Sequence, residues 1–107
     1  NPRGRGGNEL ISPFLYSAGY TEDLRRIVAH VKAKHPSCHV VAAGFSLGSN
    51  YLAKFVGEEG DDCHLTAAAC LACPVDCLTT SNMLDDTLVG RHVMSPILVG
   101  SVQRLWE

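Results

Sequence analysis

Gly44-Phe45-Ser46-Leu47-Gly48 is a GxSxG pentapeptide, set between the apolar run at residues 39–43 and an amphipathic stretch that begins at Leu47. A serine hydroxyl is a weak nucleophile until a neighbouring base accepts its proton, and its attack on an acyl carbon creates an oxyanion that backbone amides must stabilise. A strand, a sharp turn and a helix answer the geometric part of both demands. The turn holds the hydroxyl clear of the sheet, and the helix N-terminus aims a free N–H at developing negative charge. The pattern predicts acyl transfer through Ser46, with the backbone N–H of Leu47 as one oxyanion donor. Gly44 and Gly48 are expected to leave space where the turn packs against strand and helix, so that Ser46 can take up strained dihedrals. The competing readings are an inert serine in a glycine-rich turn and a phosphate-binding turn. The latter would need the lysine of a P-loop or the third glycine of a dinucleotide fingerprint, and neither is present.

Such a serine needs an acid and a base, which in folds built around this turn follow it in the chain order Ser, Asp or Glu, His. His30, His35 and His39 precede Ser46 and are excluded by that order. His64 opens the next strand at the end opposite the serine and reads as a solvated loop residue. His92 comes before enough chain has passed to complete a sheet and reads as part of a lid. Asp76, just past a strand end, is a candidate acid, although turn formation after Pro74 is an equally physical use for it. The base and the second oxyanion donor are therefore expected outside these 107 residues, which by themselves should be inactive.

The elements that must position the serine are legible on either side. Thr21 is expected to N-cap a helix whose first turn carries Glu22 and Asp23, whose apolar face is Leu24, Ile27, Val28 and Val31, and which runs to about Lys34 before Pro36. Residues 39–43 read as a parallel strand covered on both faces by helices. From Leu47 the positions Leu52, Phe55 and Val56 mark a second helix, with its end and an acidic loop at residues 57–62. Residues 65–73 read as the next strand, ended by Pro74, though their four alanines would also suit a buried helix. The fold class is α/β: the central part of a doubly wound sheet, about two strands with flanking helices, within one domain. Residues 1–86 form its core segment, and 87–107 the start of a helical lid or insertion.

Composition agrees with a globular piece of a larger enzyme. Hydrophobic residues make up 46% and charged residues 19% of 107 residues, whereas α/β enzymes of this kind run to roughly 250. A net charge of -2 offers no long-range attraction to a phosphate backbone, and Arg3-Gly4-Arg5-Gly6-Gly7 is a single RGG-like copy, so nucleic acid is not an expected partner. No run of 18 apolar residues spans a membrane, so any membrane association is expected through regions outside this chain. The five cysteines, 38, 63, 70, 73 and 77, are read as reduced small hydrophobes; zinc spacing conflicts with strand alternation around Cys70, and neither metal nor cofactor is expected. Without a disulfide framework, an intracellular or membrane-associated setting is expected before secretion.

Asn1-Pro2-Arg3-Gly4, Thr21-Glu22-Asp23-Leu24, Gly44-Phe45-Ser46-Leu47-Gly48 and Pro74-Val75-Asp76, in that order and at these separations, resemble the YheT-like, ABHD branch of the α/β-hydrolases, the AB hydrolase 4 family. The resemblance runs from residue 1 to about 86. It implies a catalytic role for Ser46 and hydrolysis of carboxylic esters, lipid esters such as monoacylglycerols or phospholipids among them. It also implies that the acid and histidine lie downstream, and the first oxyanion loop upstream, of this chain. Ser49 departs from the pattern, standing where members often carry glycine or another small residue. The alternative is a short product that binds or regulates without catalysing, whose exposed apolar faces would call for a partner.

Overall fold

A computed structural model describes residues 3, 6–7, 9–14 and 17–103, in two compact units that divide between Cys73 and Pro74. Of the Asn1-Pro2-Arg3-Gly4 segment only Arg3 falls within the described residues, and the last four residues of the expected lid, 104–107, lie outside them.

The first unit opens with helix α1, Glu22–Lys34, with Glu22 and Asp23 in its first turn and Lys32 and Lys34 in its last. Opposite charge at each end suits the helix dipole, and the helix stops where Pro36 would otherwise enter it. Thr21 does not cap α1 through its side chain. Its backbone is helical (φ -96°, ψ -7°), not the extended conformation from which a threonine oxygen reaches the first-turn amides. The buried Thr21 hydroxyl instead donates to a Glu58 carboxylate oxygen on helix α2, Leu47–Glu59. Arg25 extends the same seam, donating to Glu59 at 2.7 Å and to Glu22 at 2.9 Å.

Strands β1, Val41–Phe45, and β2, Ala67–Leu71, pair in parallel, with Val41 opposite Ala67 and Phe45 opposite Leu71. β1 starts two residues later than the apolar run predicts and carries Gly44 and Phe45 within its ladder. α2 runs through Gly57, where the sequence suggests its end, and stops at Gly60, whose φ of +55° a side chain would resist. A 3-10 turn, Gly60–Asp62, leads to β2, which is a strand despite its alanines.

The core is small: Val28 of α1 with Leu52 and Phe55 of α2, bordered by Leu24, Ala42, Val56, Cys63 and Leu65. Cys63 serves here as a small apolar residue. The expected cover on both sheet faces is not observed among the described residues of this unit. Alternation puts Ala42 and Gly44 against the helices and leaves Val41 and Phe45 on the other face, 69% and 68% exposed, and β2 is exposed along its length. The reason is topological: the two described helices of this unit pack around one core, and no other described element of this unit lies over the second face.

The second unit is helical, with α3 (Cys77–Asp86), a π-helical turn (Gly90–Met94) and α4 (Ser95–Gln103). Asp76 N-caps α3: Oδ1 accepts from the Thr79 backbone N–H at 2.9 Å and Oδ2 from the Thr79 hydroxyl at 2.7 Å. The Thr79 amide, and after it the Thr79 hydroxyl, hold the Asp76 carboxyl below the usual carboxylate range. A carboxyl with a depressed folded pKa adds stability above its unfolded pKa, and that stability is lost as pH falls through the folded value. Acidification through and below the usual range should therefore loosen the first turn of α3, and Asp76→Ala should loosen it at neutral pH. Hydrogen exchange at the Thr79 amide reads both effects; exchange in the variant as slow as in the native protein would contradict them.

Candidate active site

Ser46 sits between β1 and α2 with φ +51° and ψ -122°, a left-handed conformation that costs a non-glycine residue about 1–3 kcal/mol. The surrounding hydrogen bonds fix it there. Its N–H donates to the Leu71 carbonyl of β2 at 3.0 Å, and its own carbonyl accepts from the amides of Ser49 at 3.0 Å and Asn50 at 3.3 Å. The residue is exposed, and among the described residues no side chain hydrogen-bonds its hydroxyl. Leu47 is the first residue of α2, so its N–H is one of the donors that a helix leaves without an internal partner.

The two flanking glycines differ in role. A Cβ on Gly44 would lie 2.5 Å from the Gly48 carbonyl oxygen, 2.6 Å from the Ser49 Cα and 2.7 Å from the Gly48 carbonyl carbon. Only glycine lets β1 approach the first turn of α2 this closely. A Cβ on Gly48 would meet nothing within 4 Å, which corrects the expectation that Gly48 also makes room: it supplies the backbone surface that Gly44 touches, while the place of its own missing side chain is open space.

Of the other sequence-derived candidates, none is brought to the Ser46 hydroxyl within the first unit. His64 is exposed just before β2, and because the strands are parallel it lies at the opposite end of the ladder from Ser46. His92 is exposed within the π-helical turn of the second unit. Asp76 is the α3 cap in that same unit.

One arrangement was not legible as a unit. The Arg3 guanidinium grips Asp23 of α1 through Nε and Nη2, each 2.5 Å from a carboxylate oxygen, donates to the Ser12 hydroxyl at 2.7 Å and lies 5.1 Å from the centre of the Tyr20 ring. Tyr20 in turn stacks on Phe14. Arg3 holds the Asp23 carboxyl below its usual range through that hydrogen-bonded pair. The clamp fastens the N-terminal loop to α1, and the loop then borders a cavity of about 870 Å³ that Leu10, Ile11, Ile27, Ala42, Gly48 and Tyr51 help to line. The signal was present as the pairing of Arg3 with an acidic helix start twenty residues on, but charge at a helix N-terminus already had a sufficient local explanation.

A strand, a serine in a strained left-handed turn and a helix, with a second parallel strand alongside, have the form of the strand–turn–helix elbow of α/β-hydrolases. Comparison with known proteins agrees. The chain is 36% identical to embryogenesis-associated protein EMB8 of Picea glauca over 99% of its length, 34% identical to human phospholipase ABHD3 over 97%, and 29% identical to a monoacylglycerol lipase of Saccharomyces cerevisiae over 98%. It spans about a quarter of the length of these curated relatives, 23% of the first and third and 26% of the second. No family model and no solved structure matches it. The chain belongs to the α/β-hydrolase family, in its ABHD branch.

Proposed function

We propose that the whole protein is a serine carboxylic ester hydrolase that acts on lipid or short-chain esters through an acyl-enzyme. The observation that carries this reading is the left-handed Ser46, held between the Leu71 carbonyl and a first turn of α2 that β1 can approach closely because Gly44 lacks a side chain. Names of relatives, a monoacylglycerol lipase, an ethyl ester synthase/esterase and a phospholipase, support the ester class.

In this mechanism Ser46 Oγ bonds to the ester carbonyl carbon while its proton passes to a histidine outside the chain. The carbonyl electron pair moves to oxygen, facing the Leu47 N–H and a second donor from elsewhere in the protein. Collapse expels the alcohol, which takes the proton; water then repeats the sequence and releases the acid. Residues 87–107 would begin a lid or insertion, and membrane association, if used, would come from other regions. The isolated 107 residues should show little or no turnover, since they offer a nucleophile and one oxyanion donor without a base.

The test is pre-steady-state hydrolysis of p-nitrophenyl esters of graded chain length by the whole protein. A burst of p-nitrophenol close to one equivalent per protein, followed by a slower steady state, is the expected result. Failure to turn over any ester of the series would contradict the proposal and favour a non-catalytic binding role.

A further inference from the structure

Ser49 is completely buried, with 0% of its surface exposed, on the first turn of α2. Its hydroxyl donates to the carbonyl of Ser46 at 2.5 Å, alongside the amides of Ser49 and Asn50. That carbonyl belongs to the same peptide unit as the Leu47 N–H. A peptide unit is rigid and, as everywhere among the described bonds, trans, so its C=O and N–H point in opposite directions. Three donors drawing the Ser46 oxygen into the helix therefore turn the Leu47 hydrogen outward, beyond the helix N-terminus.

We infer that Ser49 is a positioning residue for acyl transfer: through the Ser46 carbonyl it fixes the plane of the Ser46–Leu47 peptide and so aims the Leu47 N–H at the oxyanion. This rests on the reading of Ser46 as nucleophile. Two further features fit. Ser46 holds a conformation that its own side chain disfavours, so its peptide plane depends on outside restraint. The Ser49 Cα also lies against Gly44, leaving the side chain little freedom to turn elsewhere. A residue whose only task was to fill this space would need no hydroxyl.

The experiment compares the whole protein with its Ser49→Ala, Ser49→Thr and Ser46→Ala variants, using a p-nitrophenyl ester and an alkyl trifluoromethyl ketone, which adds to the serine and places an oxyanion where the ester's would form. Loss of one hydrogen bond behind the donor should lower kcat of Ser49→Ala by about 3- to 10-fold, leave KM within about twofold, and raise the ketone's inhibition constant by the same factor as kcat falls. Threonine can keep its hydroxyl on the preceding turn's carbonyl, so Ser49→Thr should recover both values. If the added methyl prevents Ser49→Thr from folding, the agreement between kcat and ketone affinity in Ser49→Ala decides the matter. Unchanged kcat and ketone affinity in a folded Ser49→Ala, or an effect on KM alone, would overturn the inference while leaving Ser46 in place. Turnover that survives Ser46→Ala would overturn the nucleophile assignment itself.

Discussion

Ser46→Ala in the complete protein is expected to lower ester turnover by about 10⁴-fold or more while leaving the fold intact. The size of the effect follows from the chemistry. Without the hydroxyl no acyl-enzyme forms, and what remains is direct attack by water assisted by the oxyanion donors. The fold should survive because the hydroxyl makes no hydrogen bond to a described side chain, while the bonds that hold the turn use the Ser46 backbone N–H and carbonyl, which alanine keeps. Alanine is no better suited than serine to a φ of +51°, so melting temperature should change by only a few degrees. Circular dichroism melting together with steady-state hydrolysis reads both quantities; a variant that retains full activity would remove Ser46 from the mechanism.

Gly44→Ala is expected to have the next largest effect on activity, on the order of 100-fold, for a different reason. The new Cβ would fall within 2.5–2.7 Å of three backbone atoms of Gly48 and Ser49, none of which can rotate away as a side chain could. β1 and α2 would have to separate by roughly 1 Å to restore ordinary contact, and a displacement of that size at reacting groups costs on the order of 100-fold in rate. Overpacking of this kind also destabilises by about 1–3 kcal/mol. Gly48→Ala is the matched control, since its Cβ would stand in open space; it should fold normally and keep activity within a few-fold. Equal damage from the two substitutions would mean that strand–helix closeness is not what Gly44 provides.

Much of the first unit could be read from local signals. The charge arrangement and apolar spacing of α1 mark both its ends, and the pentapeptide places strand, turn and helix correctly because a GxSxG between an apolar run and an amphipathic one has few other solutions. Local signals fail where tertiary contacts decide. Gly57 looked like a terminator, yet α2 passes through it, because α2 is held by burial of Leu52 and Phe55 and by the Glu58 and Glu59 contacts to α1 further on. Thr21 had the composition of a cap, but Glu58 competes for its hydroxyl. The distinction between Gly44 and Gly48 is invisible in the sequence, where the two are symmetric about the serine; it appears only when the helix is laid against the strand. The same holds for Ser49, whose interest lies in a carbonyl three residues earlier.

The branch of the family was legible in the order of the motifs, and the relatives agree with it over nearly the whole chain. The acid and base could not be found, and the structure explains why no described residue of the first unit stands in for them: His64 is at the far end of the strands. Asp76 is held by Thr79 at the start of α3.

The central claim is that Ser46 is an activated nucleophile, and labelling with a fluorophosphonate tests it most directly. Native extract treated with the probe, digested and analysed by mass spectrometry should yield the peptide spanning the GxSxG turn with the phosphonate on Ser46, from a parent protein several times longer than 107 residues. The intact protein recovered with Ser46 unmodified, under conditions in which other serine hydrolases of the same extract are labelled, would contradict the account.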